Sequence, residues 1–383
     1  DNVTSANNTA LWYSPANRLQ NADGAWGSET FYYDGVGNRI EERVTPPGGS
    51  QTISTLGYPA TSNRVTQITQ NATTVRSIGY DAAGNITSDN RLGSTYAYTY
   101  NHANRLKAVS YEGNLKATYT YNGLHQLITR VVTNSGSLDG TAHYVHDRGG
   151  NVIAGLNAAG STAREYIWLP EAEIAPTAAS RATIDRPIAV VDGVDGASPA
   201  TYYVHADHLH RPIRMSNAAK AIVWSAEFQP WGSVQSLSGP LTLDLRFPGQ
   251  WFQLEAGLHY NWHRHYDASL GRYTQPDPLG FVDGPSVYGY AGGNPLRWVD
   301  PDGRYRQTFP DGTTGRPRPG QLPESGGGGG SPFWPSPKPD PKIPVPIPIP
   351  VPTPDPTPPE PPSPEYQCKD DDKCKKIYER CRE

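Results

Sequence analysis

One sequence feature restricts the fold of this chain more than any other: a short unit that recurs along its first half. "FYYDGVGNRIEERV" begins at Phe31, "IGYDAAGNITSD" at Ile78, "YTYNHANRLKAV" at Tyr98, "YTYNGLHQLITRVV" at Tyr119 and "HYVHDRGGNVIAGL" at His143, with weaker copies at Trp12 and Leu56. If Tyr13, Tyr33, Tyr58, Tyr80, Tyr100, Tyr121 and His146 are taken as equivalent, the steps are 20 to 25 residues. Each unit reads aromatic-x-aromatic, then Asp or Asn, then small residues ending in Gly-Asn or Asn-Arg, then alternating apolar residues. Alternation puts the aromatic rings on one face of a strand. Asp closes an Asx turn, and Gly and Asn tolerate positive φ, so the chain reverses and returns as a second strand. One hairpin is not stable in water. Units repeated at this period must therefore share one sheet and one core. No sustained 3.6-residue apolar pattern with caps occurs, so helix is expected to be scarce.

Beyond about residue 160 the unit loosens, but strand signals continue through "REYIWLP", "RPIAVVDG", "ATYYVHADHLHRPIRMSN" and "AIVWSAEFQPWG". Then the composition breaks. Five consecutive glycines stand at 326–330, and residues 332–364 hold 17 prolines in 33 positions. Such a run cannot enter a sheet interior and is expected to be an extended polyproline stalk reaching on the order of 100 Å. The tail "CKDDDKCKKIYERCRE" carries all three cysteines, Cys368, Cys374 and Cys381, so the body needs no disulfide. Met occurs once, at Met215, and none opens the chain, so residue 1 is read as either a processing product or the edge of an excised piece.

A net charge of −4 supplies no basic field for nucleic acid, and no apolar run reaches the ~18 residues of a membrane span. Neither a nucleophile elbow, a phosphate loop nor a Cys-His pair is present. Two stretches are rich in histidine: His205, Asp207, His208 and His210, and His259, His263 and His265. On a strand, His208 and His210 share a face, as metal ligands would. Structural or solvated histidine is the preferred reading, so neither a metal nor a cofactor is expected.

The Tyr-Asp-x-x-Gly-Asn units at Tyr33 and Tyr80 resemble the YD repeats of Rhs proteins, a family that includes bacterial polymorphic toxins, the C component of ABC insecticidal toxins and animal teneurins. "RFPGQWFQLEAGLHYNWHRHYDASLGRYTQPDPLGFVDGPSVYGYAGGNPLRWVDPDGR" is similar to the family's repeat-associated core module over nearly its whole length. The resemblance implies a mainly β fold, in which stacked hairpins form a spiralling sheet, a segment of a β-cocoon shell, closed by a core-module plug. It divides the chain into YD repeats (1–160), late shell strands (161–245), a core module (246–305), a Gly/Pro-rich linker (306–365) and a Cys-containing tail (366–383).

In toxin members the core module is an aspartyl autoprotease that cuts its C-terminal cargo free. The family's residues match Arg264, Asp277 and Asp300 here, with cleavage expected between Arg304 and Tyr305, although Arg304 stands where the family usually has Leu. By the same likeness the partners are the chain's own C-terminal region, an immunity protein and a secretion apparatus such as a type VI spike, and the location is secreted or cell-surface. The alternative is an uncut structural or adhesion protein that binds cell-surface glycans. The bare residues also allow a simpler role, in which each Asp-Pro only caps a turn. Asp283 and Asp302 are read as solvated loop residues.

Overall fold

The computed structural model of the chain describes residues 4–6, 9–169 and 185–308. The expected Pro-rich stalk (332–364) and the cysteine-containing tail (366–383) lie outside them. Twenty-one strands, from Ser5–Ala6 to Val234–Ser238, form one sheet. Each strand pairs antiparallel with its neighbour in sequence, so the sheet is a continuous meander. Among the described residues its first and last strands do not pair with each other, and there is no α-helix.

The repeat unit does two jobs. The first is the turn. Asp34 accepts the N–H of Val36 and of Asn38 through Oδ1, while its own N–H donates to the Asn38 carbonyl. Asp81, Asn101, Asn122 and Asp147 repeat the two bonds to the fourth residue on, as do Asn157, Asp207 and Asn217 in the region where the sequence had loosened. The repeat therefore persists beyond residue 160, carried by turn geometry rather than by Tyr-Asp spelling.

The second job is a staple between hairpins. The phenol of Tyr33 donates to the Leu19 carbonyl at 2.6 Å; Tyr58, Tyr80, Tyr100 and Tyr121 donate likewise to Arg39, Val65, Ile86 and Leu106. His146 and Trp168 hold the same rung, to Leu127 and Val152. Most of these aromatics sit where the strand register shifts by one residue, and such a bulge turns the ring toward the earlier strand. Tyr121→Phe leaves the Leu106 carbonyl without its donor. A loss of about 1–3 kcal/mol is expected, read as a lower urea midpoint at unchanged slope; an unshifted midpoint would show that the staple is dispensable.

One face of the sheet packs against a second, five-stranded sheet built from Leu245–Phe247, Gln250–Gln253, Leu258–Asn261, Arg264–Asp267 and Arg272–Tyr273. Leu56, Ile78, Ile86, Leu106 and Leu127 of the large sheet share a core with Leu258, Tyr260 and Leu270 of the small one. Leu11, Leu19 and Phe31 from the first hairpins meet Leu296 and Val299 from the end of the core module. Each fully buried aliphatic or aromatic side chain contributes roughly 1.5–3 kcal/mol. This burial positions the residues described next.

Candidate active site

Asn261 pairs with Arg264 across a two-residue turn, Trp262–His263, in which Trp262 has φ of 47°. The large sheet grips that turn: Arg105 Nη1 donates to the His263 carbonyl at 2.9 Å, and the Trp262 indole donates to the Leu124 carbonyl. On the strand that follows, alternation decides the destinations. His265 and Asp267 face the large sheet, beside Tyr119 and Arg76, whereas Arg264 and Tyr266 face the interior of the core module.

Arg264 is 1% exposed, and its guanidinium collects the site. Nη2 lies 2.9 Å from Asp277 Oδ2 and 3.0 Å from Asp300 Oδ2. Nε donates to the Gly303 carbonyl at 2.5 Å, and Nη1 to the Val287 carbonyl at 3.3 Å. The guanidinium carbon sits 3.6 Å from the centre of the Tyr273 ring. The structure thus brings Arg264, Asp277 and Asp300 together around one nitrogen.

Turn-capping and site roles coexist, because each carboxylate divides its oxygens. Asp277 Oδ1 accepts the Leu279 N–H in an Asx turn, and Asp300 Oδ1 accepts the N–H of Arg304 at 3.0 Å and of Tyr305 at 3.2 Å. The Oδ2 atoms are what remain for Arg264. Asp300 Oδ1 therefore lies within reach of the nitrogen of the Arg304–Tyr305 peptide bond.

Burial pushes the Asp277 carboxyl up to about 6 against the pull of Arg264, and burial raises Asp300 as well, with Arg264 opposing. Two buried carboxyls that share one cation hold a proton between them in mildly acid solution. Gly303 has φ of 72°, and a Cβ there would lie 2.4 Å from the Asn261 carbonyl oxygen, so the turn that presents the bond requires glycine.

Three residues had no distinguishing mark in the sequence. Tyr273 donates to Asp300 Oδ2 at 2.7 Å, and Asn261 donates to both the Tyr273 hydroxyl and the Asp300 carbonyl at 2.8 Å. Tyr273 is one of 23 tyrosines, and only its place beneath Arg264 sets it apart. The third is Asp283. It is half-buried rather than fully solvated: Oδ2 accepts the Arg306 N–H at 2.7 Å, and burial followed by the Asp300 charge pushes its carboxyl up to about 7. Asp302, by contrast, is buried, and it holds the Arg304 guanidinium at 2.6 Å.

The histidines take other places. His208 and His210 sit in the 207–211 turn rather than on a strand: His208 contacts the Leu296 carbonyl, and His210 stands beside Arg186. Asp207 pairs with Arg211. His205 contacts the Ser216 hydroxyl, and His263 the Asp302 carbonyl. Burial lowers His259 and His265 to about 3, so both are neutral imidazoles. Among the described residues no three His, Cys, Asp or Glu come together as metal ligands.

The family model described as RHS Repeat matches residues 80–116, the stretch holding the Asp81 and Asn101 turns. The chain carries an RHS repeat. Over 241 residues it is 29% identical to double-stranded DNA deaminase toxin A of Burkholderia cenocepacia strain H111, covering 58% of the chain and 16% of that protein. Over 101 residues it is 37% identical to the toxin protein Tse5 of Pseudomonas aeruginosa, covering 26% of the chain and 8% of that toxin. The chain thus spans a small fraction of these relatives. The Tc holotoxin pore of Photorhabdus luminescens is a solved structure that covers 77% of the chain and 19% of its own, at 14% identity and a TM-score of 0.34. No helix among the described residues is long and apolar enough to cross a membrane.

Proposed function

We propose that this chain is part of a toxin-delivery shell whose core module cuts its own backbone between Arg304 and Tyr305. One observation carries the reading: two buried carboxylates share Arg264 Nη2 while one of them, Asp300, touches the nitrogen of that peptide bond. In the singly protonated pair, Asp277 acts as general base. It removes a proton from a water molecule whose oxygen adds to the Arg304 carbonyl carbon. The C–N bond then breaks, and the leaving Tyr305 nitrogen takes up the proton held at Asp300. Arg264 keeps the remaining negative charge paired, and through Gly303 it fixes the acyl side. Asn261 and Tyr273 orient Asp300.

In this reading the cargo is the region after residue 304, the immunity protein and export apparatus are its partners in the producing cell, and the protein is secreted or displayed at the cell surface. The relatives' names as toxins support delivery as the purpose. The test is the intact mass of the purified full chain. Fragments 1–304 and 305–383 are expected; one uncut 383-residue chain overturns self-cleavage and leaves the structural or adhesion reading, to be pursued by glycan binding.

A further inference from the structure

The reaction needs the scissile bond held on both sides. On the acyl side the structure is generous: Gly303 is fixed by Arg264, and Arg304 by the backbone contact to Asp300 and the side-chain contact to Asp302. On the leaving side, Tyr305 N–H rests on Asp300, and the next fixed point is Arg306 N–H on Asp283 Oδ2 at 2.7 Å. Only after that does the chain pair, as Gln307–Thr308, with Trp298–Val299.

Asp283 comes from the loop that also carries Asp277. That loop is closed at its base by the Asp277 N–H to the Val287 carbonyl, the same carbonyl that accepts Arg264 Nη1. Phe281 and Val282 in the loop point to solvent, whereas Asp283 turns back onto the chain being cut. One loop therefore delivers both a carboxylate of the pair and a clamp two residues beyond the bond.

We infer that Asp283 is a positioning residue for self-cleavage: it holds the leaving strand at Arg306 N–H so that the Tyr305 nitrogen stays on Asp300. The inference rests on the self-cleavage reading. It assigns a third carboxylate to the site, one that acts on the leaving strand rather than on the reacting atoms.

The role depends on an acceptor oxygen, not on charge, and this separates it from a general packing role. A slip of about 1 Å in a bond held for attack can cost on the order of 100-fold in rate. The full-length chain is purified in denaturant and refolded by dilution, and loss of the uncut band is timed on gels. Asp283→Ala is expected to slow cutting by about 10- to 100-fold. Asp283→Asn, which still offers an oxygen to the Arg306 N–H, is expected to restore most of the rate. Arg306→Pro removes the N–H from the other partner and is expected to slow cutting like Asp283→Ala.

Melting curves of the same substitutions in an Asp300→Asn chain check that each variant folds. If the wild type cuts and Asp283→Ala matches it, or if Asp283→Asn is as slow as Asp283→Ala, the inference falls and self-cleavage stands. If Asp283→Ala fails to fold, Arg306→Pro decides, and wild-type cutting by it overturns the inference. If the wild type never cuts, both fall.

Discussion

Asp300→Asn is expected to leave the chain in one piece. The amide keeps an oxygen for the Arg304 and Tyr305 N–H groups, but it cannot carry the proton that the leaving nitrogen needs. Its NH2 group also turns toward two donors, Arg264 Nη2 and the Tyr273 hydroxyl, where Asp300 Oδ2 now accepts. Loss of a general acid or base costs about 10²- to 10⁴-fold in rate, enough to convert a fragment pair into a single band. Asp277→Asn is expected to do the same through the other half of the pair. Cutting at the wild-type rate by either variant would remove the carboxylate mechanism.

The pH dependence follows from the raised carboxyls. With Asp277 at about 6, the general base is protonated in more acid solution and freed as pH rises through that value. Refolding at pH 5 should therefore cut more slowly than refolding near pH 7. The linkage to stability has the opposite sign: a carboxyl raised on folding contributes stability that is fully present below its unfolded value of about 4 and is lost as pH rises through its folded pKa.

Arg76→Met is expected to be the most destabilising single change at the junction of the two sheets. Arg76 Nη2 lies 2.5 Å from both Asp89 Oδ2, on the large sheet, and Asp267 Oδ2, on the small one. Arg91 adds a second cation beside Asp89, and Asp267 Oδ1 accepts from the Ser269 N–H and hydroxyl. Burial alone pushes Asp267 up, but Arg76, Arg91 and Ser269 outweigh it and hold the carboxyl well below its usual range.

Removing Arg76 strands two buried carboxylates with one less-buried arginine. Breaking such a pair from one side costs about 3–5 kcal/mol. The sign with pH is opposite to that at Asp277. In the wild type the depressed carboxyl stabilises the fold above its unfolded value of about 4, and this is lost as pH falls. In Arg76→Met the deficit is expected to shrink toward pH 4, as the stranded carboxyls take up protons. Urea midpoints at pH 7 and pH 4 measure both; equal deficits at the two values would show that lost packing, not charge, is the cause.

Local chemistry is what the sequence determined. The 20- to 25-residue recurrence implies hairpins that must stack, because the Asx turn of Asp34 or Asp81 is closed within four residues and needs nothing distant. Likeness to a family pointed to Arg264, Asp277 and Asp300, and these converge. The sequence pattern put His146 at the tyrosine position but did not show that Trp168 takes the next place on the staple, since the hydrogen bond requires a donor there rather than a phenol.

The tertiary structure decided what lies between distant residues. Asp277 and Asp300 both begin as turn caps, and only packing of the core module against the large sheet aims their second oxygens at one nitrogen of Arg264. The same packing buries Asp302 and half-buries Asp283, which the sequence presents as ordinary loop acids, and places Tyr273 beneath the guanidinium. Turn formation depends on neighbours in the chain, whereas burial and the sharing of one cation depend on which surfaces meet. The terminal "DPDGR" was therefore readable as a turn from its residues, whereas the gathering of Arg264, Asp277 and Asp283 around it came only from the fold.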